Sequence, residues 1–164
     1  MATPERFVSP AVADIMEKHL RAYPEVFEGF DVNEIVCFHY KGKEDTRRPL
    51  KIKPVRDPFD MLVDKVYIIQ VADATWNEMT PTQRHLAVFH TMCAIPEGAF
   101  DKESREYGKV KKPDYELFAE EFAAAGGVPN WMENPEAKDP LEKKKSSTPK
   151  RAVTTAGVAA GATA

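Results

Sequence analysis

Of the four histidines in this 164-residue chain, His90 stands in the surroundings that come nearest to a working chemical pattern. A zinc hydrolase built on a helix uses H-E-x-x-H: two histidines one turn apart hold the metal, and the glutamate acts as general base. Aligned on His90, the base position is Thr91 and the second ligand position is Ala94. A threonine hydroxyl does not take up a proton near neutral pH as a carboxylate does, and alanine offers no donor. One imidazole therefore stands where catalytic zinc needs about three protein ligands and an open position.

Substitute ligands can be sought among the residue types nearby. Cys93 lies three residues after His90 and shares its helix face, and Asp114 or Glu116 could complete a trio. Each also has a plainer explanation. A cysteine on an apolar stripe packs as a small hydrophobe, and Asp114 suits the N-cap of a following helix. His85 is five residues from His90, about 140° around a helix, so the two point apart. Cys93 as a nucleophile beside His90 has little substrate access on a buried helix. The sequence offers no Ser-His-Asp pattern, no glycine-rich phosphate loop and no CxxC pair.

The element that must position His90 is well marked. Thr80 is a good N-cap, Pro81 suits the first helical position, and Gln83 stands where a capping box wants Glu or Gln. Leu86, Phe89, His90 and Cys93 share one face at i, i+3, i+4 and i+7, which predicts a buried helix with His90 turned inward. Pro96 stops it. Ahead of it, Ser9-Pro10 opens a helix running to Tyr23, with Val12, Ile15, Met16, His19, Leu20 and Tyr23 as its stripe. His19 on that stripe reads as a packed histidine. Alternation predicts a strand from Val32 to Tyr40 with Val36, Phe38 and Tyr40 inward and His39 outward in solvent. A short edge strand follows from Leu50, limited by Pro54, and then a central strand from Lys65 to Ala72. Trp76 is expected under the start of the His90 helix. Glu97 to Lys112 is long enough for a flap or small hairpin. A last helix is expected from Asp114 to Ala125, with Tyr115, Phe118, Phe122 and Ala125 inward and Gly126-Gly127 ending it.

Composition bounds the rest. The length fits one domain, and 43% hydrophobic residues suffice for a core. The formal net charge of -3 points to no particular partner. Cys37 and Cys93 each lie in an apolar run, which suits reduced thiols in a cytoplasmic protein. No apolar run reaches membrane-spanning length, and the first residues carry no secretory pattern. The domain is expected over 9–133. From 134 to 164 the composition turns to Lys, Ser, Thr, Pro, Ala and Gly without an aromatic residue, the mark of a disordered low-complexity tail. Lys41, Lys43, Arg47, Arg48, Lys51, Lys53 and Arg56 form a basic region. It fits a solvated loop and edge, or a weak nucleic-acid contact lacking aromatic stacking partners.

The order of these pieces resembles the phage-encoded metallopeptidases, a family of small zincin-like proteins. The likeness runs from about residue 10 to 131. It covers the Val66-Tyr67-Ile68-Ile69 strand, Trp76, the Gln83-Arg84 pair and the His90 helix. It continues with a polar loop, a segment where the family reads like H-D-x-E-x-F and this chain has Pro113-Asp114-Tyr115-Glu116-Leu117-Phe118, and a Gly127-to-Trp131 ending. The resemblance implies an α+β zincin-like domain: a short mixed sheet of three or four strands packed against an N-terminal helix, a former active-site helix and a C-terminal helix. It implies zinc in the related proteins. Carried over by position, it leaves His90 alone, with Thr91, Ala94 and Pro113 where the base and the other two ligands belong. The expectation is a protein kept for binding rather than cleavage. Its old substrate groove would hold a peptide or partner protein, lined by the 65–72 strand, the 97–112 loop and the C-terminal helices. The alternatives are a divergent zinc hydrolase using Cys93, Asp114 or Glu116, and a basic-patch nucleic-acid binder.

Overall fold

A computed structural model describes residues 5–41, 49–56, 62–112, 118–127 and 136–142. Its architecture is α+β. Strand β1 (Glu5–Val8) leads into helix α1 (Pro10–Ala22), and β2 (Ile35–Lys41) follows a single 3-10 turn at Val32–Glu34. Then come β3 (Leu50–Pro54), β4 (Tyr67–Ala72), a short helix α2 (Asp73–Glu78), the His90 helix α3 (Pro81–Cys93) and a short α4 (Ala119–Ala124).

The four strands form one mixed sheet in the order β1-β2-β4-β3. β1 runs antiparallel to β2, β2 parallel to β4, and β3 antiparallel to β4. The apolar run of β4 therefore sits inside the sheet, as its composition predicts. β3 is an edge strand, where Pro54 costs no ladder hydrogen bond that the sheet needs. Its Lys51 and Lys53 are exposed, while Leu50 and Ile52 pair with Val71 and Ile69.

The face of β2 is the reverse of the one expected. Ile35, Cys37 and His39 are buried, and Val36, Phe38 and Tyr40 are only half-buried. Register explains this. Parallel pairing places Ile35, Cys37 and His39 beside Tyr67, Ile69 and Val71, which form the most deeply buried row of the sheet. With a period of two, the parity of a strand is settled by its neighbour. His39 is then 6% exposed rather than in solvent, and it can be there because both ring nitrogens find partners.

Helices α1 and α3 pack on each other within one core. Phe89 of α3 meets the rings of His19, Tyr23 and Phe27 edge-on, at centroid distances of 5.3, 5.1 and 5.1 Å. Losing such a ring from a closed core costs about 3–5 kcal/mol. The start of α3 is fixed by a complete capping box. Thr80 Oγ1 accepts from the Gln83 N–H, and Gln83 Oε1 accepts from the Thr80 N–H. Trp76 is buried beneath that start, with the Arg84 guanidinium 5.2 Å over its ring and Arg84 Nε–H donating to the Trp76 carbonyl.

Three further differences concern the C-terminal half. Residues 97–112 form successive turns and no hairpin, pinned by Lys111 N–H to the Ala94 carbonyl and by Gly108 N–H to the Ala99 carbonyl. Helix α4 starts at Ala119, after the N-cap Phe118. The expected N-cap Asp114 lies outside the described residues, as do Pro113, Tyr115 and Glu116. Ala125 closes the helix, and Gly126 follows at φ +83°, a left-handed conformation that glycine adopts without strain. Residues 136–142, read from composition as the first part of the tail, pack on the body. Lys138 N–H donates to the Ala125 carbonyl, and Tyr23 Oη–H donates to the Pro140 carbonyl. Residues 143–164 lie outside the described residues.

Candidate functional site

His90 occupies an unusual place on α3. From Leu86 to Ile95 every other residue is buried, while the His90 side chain is 36% exposed. The histidine expected to face inward is thus the one position of this stretch that reaches solvent. Its Nδ1 lies 2.5 Å from Oε2 of Glu121, whose side chain is fully buried. The same oxygen accepts from the Phe118 N–H at 3.2 Å, so Glu121 reaches back across the first turn of α4. A buried carboxylate is costly unless donors surround it, and here a ring N–H and a backbone N–H converge on one oxygen. Phe118 leans on the His90 ring at 5.2 Å, and Lys111 Nζ stands 5.5 Å over the Phe118 ring.

Glu121 was missed in the sequence, although a signal existed. Phe118, Glu121 and Ala125 are spaced i, i+3 and i+7, so a glutamate stands in the middle of a buried stripe. Such a position needs a donor, and His90 supplies it. A carboxylate held on Nδ1 fixes the tautomer and turns Nε2 outward, the arrangement that supports a metal-bound imidazole.

The rest of the ligand set does not follow. Thr91 is buried and its Oγ1–H donates to the Ala87 carbonyl one turn back. It is therefore occupied by its own helix. Ala94 is buried at the C-cap of α3, already past the last helical residue. Cys93 is buried, and burial, with Glu120 and Glu121 nearby, pushes its thiol well above the ordinary range, so the thiolate a metal requires is strongly disfavoured. Among the described residues, no three of His, Cys, Asp and Glu stand close enough to hold a metal ion. Among the described positions, His90 is one oriented imidazole with no second or third ligand beside it, and the candidate ligands Asp114 and Glu116 lie outside the described residues.

Two other histidine networks emerge from the fold. His39 Nδ1 lies 3.0 Å from Oδ1 of Asp73, and its Nε2 lies 2.7 Å from Oγ of Ser9. Ser9, His39 and Asp73 thus have the connectivity of a catalytic triad, which the sequence did not reveal because the three lie in separate elements. Ser9 is only 2% exposed, which leaves no path for an acyl group. The network instead ties together the β1–α1 junction, β2 and the β4–α2 junction.

The second network joins His19, His85 and Asp139. His19 Nε2–H donates to the His85 carbonyl at 2.8 Å, and His85 Nδ1 lies 2.7 Å from Asp139 Oδ2. Burial drops the His19 pKa to about 4, and its Nδ1 has no hydrogen-bond partner among the described residues. The expectation of a packed rather than ligating histidine holds. His85 and Asp139 anchor the 136–142 segment to the start of α3.

A family model described as "Putative phage metallopeptidase" matches residues 5–139. The chain belongs to this phage metallopeptidase family. The match takes in His39, His90, Glu121 and Asp139 alike, so the packed 136–142 segment extends the related region almost to its end. No curated protein and no solved structure matches the chain. Set on His90, the H-E-x-x-H pattern of a zinc helix has Thr91 at its base position and Ala94 at its second-ligand position.

A cleft of about 190 Å³ opens at the C-terminal end of α3. Val26, Phe27 and Phe30, from the loop after α1, form one wall; Met92, Ile95 and Phe100, at the end of α3 and beyond, form the other. Cys93 and Glu120 also line it, one residue from Ala94 on one side and from Glu121 on the other. The 97–112 turns contribute Glu97, Gly98, Phe100 and Lys111 to this cleft, and the 25–30 loop, to which the sequence assigned no role, lines it as well. Tyr67 of β4 donates from Oη to the Lys109 carbonyl.

Proposed function

We propose that this chain is a catalytically degenerate phage metallopeptidase that works in the cytoplasm as a binding module. A peptide or partner protein would lie in the cleft beside α3. One observation carries the reading: His90 is an oriented imidazole at the first ligand position of α3, while the base position is a threonine bonded to its own backbone and the second ligand position an alanine. Activating water on zinc requires three protein ligands and a base. Two free, buried thiols suit a reducing compartment. No described helix is long and apolar enough to cross a membrane.

The decisive experiment is metal analysis of the purified chain with a peptidase assay run in parallel. Zinc well below one equivalent, unchanged in His90→Ala, together with no cleavage, supports the reading. One zinc per chain that disappears in His90→Ala, with activity, returns the protein to the hydrolases. A nucleic-acid role has the exposed Lys51 and Lys53 of edge strand β3 in its favour. Retention on DNA that falls steeply with salt, and is lost when both are changed to glutamate, marks that second reading.

A further inference from the structure

The cleft beside α3 carries a charge pattern as well as an apolar floor. Glu25 and Glu28 stand on the loop after α1, Glu97 on the turn after α3 and Glu120 on α4, and all four line the opening. All are exposed, and Lys111 is the single cation among the lining residues. The same opening lies at the C-terminal end of α3, where the helix dipole adds partial negative charge. The inner surface is different in kind. Phe27 and Met92 are buried beneath it and Val26 is partly exposed on its rim. At about 190 Å³, the space falls below the roughly 300 Å³ at which small-molecule pockets begin. It is the size for one or two side chains of a larger partner.

We infer that this cleft receives a cationic peptide segment of a partner protein, with one apolar side chain on the Val26–Phe30 and Met92–Ile95 walls and flanking lysines or arginines against Glu25, Glu28, Glu97 and Glu120. The inference rests on the binding-module reading and assigns its partner chemistry. An acidic rim raises the local concentration of cations and disfavours acidic competitors, while the apolar anchor supplies most of the affinity.

The test uses the full chain and two synthetic hexapeptides, Lys-Leu repeated three times and Glu-Leu repeated three times, followed by backbone amide NMR. The lysine peptide is expected to move amides in 25–30 and 92–100, with affinity falling several-fold from about 50 to about 300 mM salt. In the double variant Glu28→Lys/Glu97→Lys, both positions being exposed, the lysine peptide should lose about tenfold and the glutamate peptide should gain. Equal binding of both peptides in the cleft overturns the cationic assignment and leaves the binding-module reading standing. Binding of neither peptide at the cleft overturns the inference. Zinc-dependent cleavage of either peptide overturns the binding-module reading itself. The chain's own Lys143, Lys144 and Lys145 offer another occupant. If changing them to glutamate moves the cleft amides without added peptide, the site is self-occupied and the partner assignment fails.

Discussion

His90 Nδ1 and Glu121 Oε2 stand 2.5 Å apart, the imidazole half in solvent and the carboxylate sealed in the core. In a working zinc site such a carboxylate orients a ligand. The same contact also works in the other direction: His90 supplies a donor to a buried carboxylate, so it has a structural role apart from any metal. His90→Ala should lower stability by about 2–4 kcal/mol, because it leaves the Glu121 oxygen with one donor fewer. Glu121→Gln should cost less, and a double-mutant cycle by urea unfolding should show coupling above about 1 kcal/mol. Additive losses would refute the pair.

His19 makes stability depend on pH in a definite window. Its pKa is about 4 in the folded chain against an ordinary value of 6.5, so the unfolded chain binds the extra proton in between. The stabilisation is complete above about pH 6.5 and declines as pH falls toward about 4, by on the order of 3 kcal/mol. His19→Leu removes this proton linkage. The difference between the wild-type and variant urea profiles should be flat above that window and slope within it.

Ser9, His39 and Asp73 should behave as a clamp and not as a nucleophile. Ser9→Ala leaves the buried His39 Nε2 without its partner, at a cost of about 1–3 kcal/mol. A fluorophosphonate probe should leave Ser9 unmodified in the native chain. Stoichiometric labelling of Ser9, seen by mass spectrometry, is the contrary result.

The two thiols should be silent until the chain opens. Burial raises Cys37 to about 12 and Cys93 further still, so neither supplies appreciable thiolate at neutral pH. A disulfide reagent at pH 8 should react with both at the rate of unfolding. Fast native-state reaction of Cys93 would place it in an open site.

What was legible in the sequence was local. The Thr80-Pro81-Gln83 start and the stop at Pro96 delimit α3 because capping and proline act within a few residues. The run Tyr67–Val71 marked a strand inside the sheet because Tyr67, Ile69 and Val71 alternate onto one buried face, with Ile68 and Gln70 on the half-buried one. The residues at the base and second-ligand positions of the helix pattern, Thr91 and Ala94, could also be read directly, since a helix converts spacing into shared direction.

The relationships between elements were decided only in three dimensions. The inward face of β2 depended on parallel register with β4, and an alternating strand carries two equally regular parities. Glu121 found His90 across 31 residues, and Asp139 found His85 across 54. The Ser9–His39–Asp73 chain formed because two strand–helix junctions meet the body of β2. The sequence by itself determined which residue types stand at the base and second-ligand positions of the helix pattern, Thr91 and Ala94, because a residue type is a property of its position. Tertiary packing decided what the surviving histidine does, because the cost of a buried charge exists only once a core has closed around it.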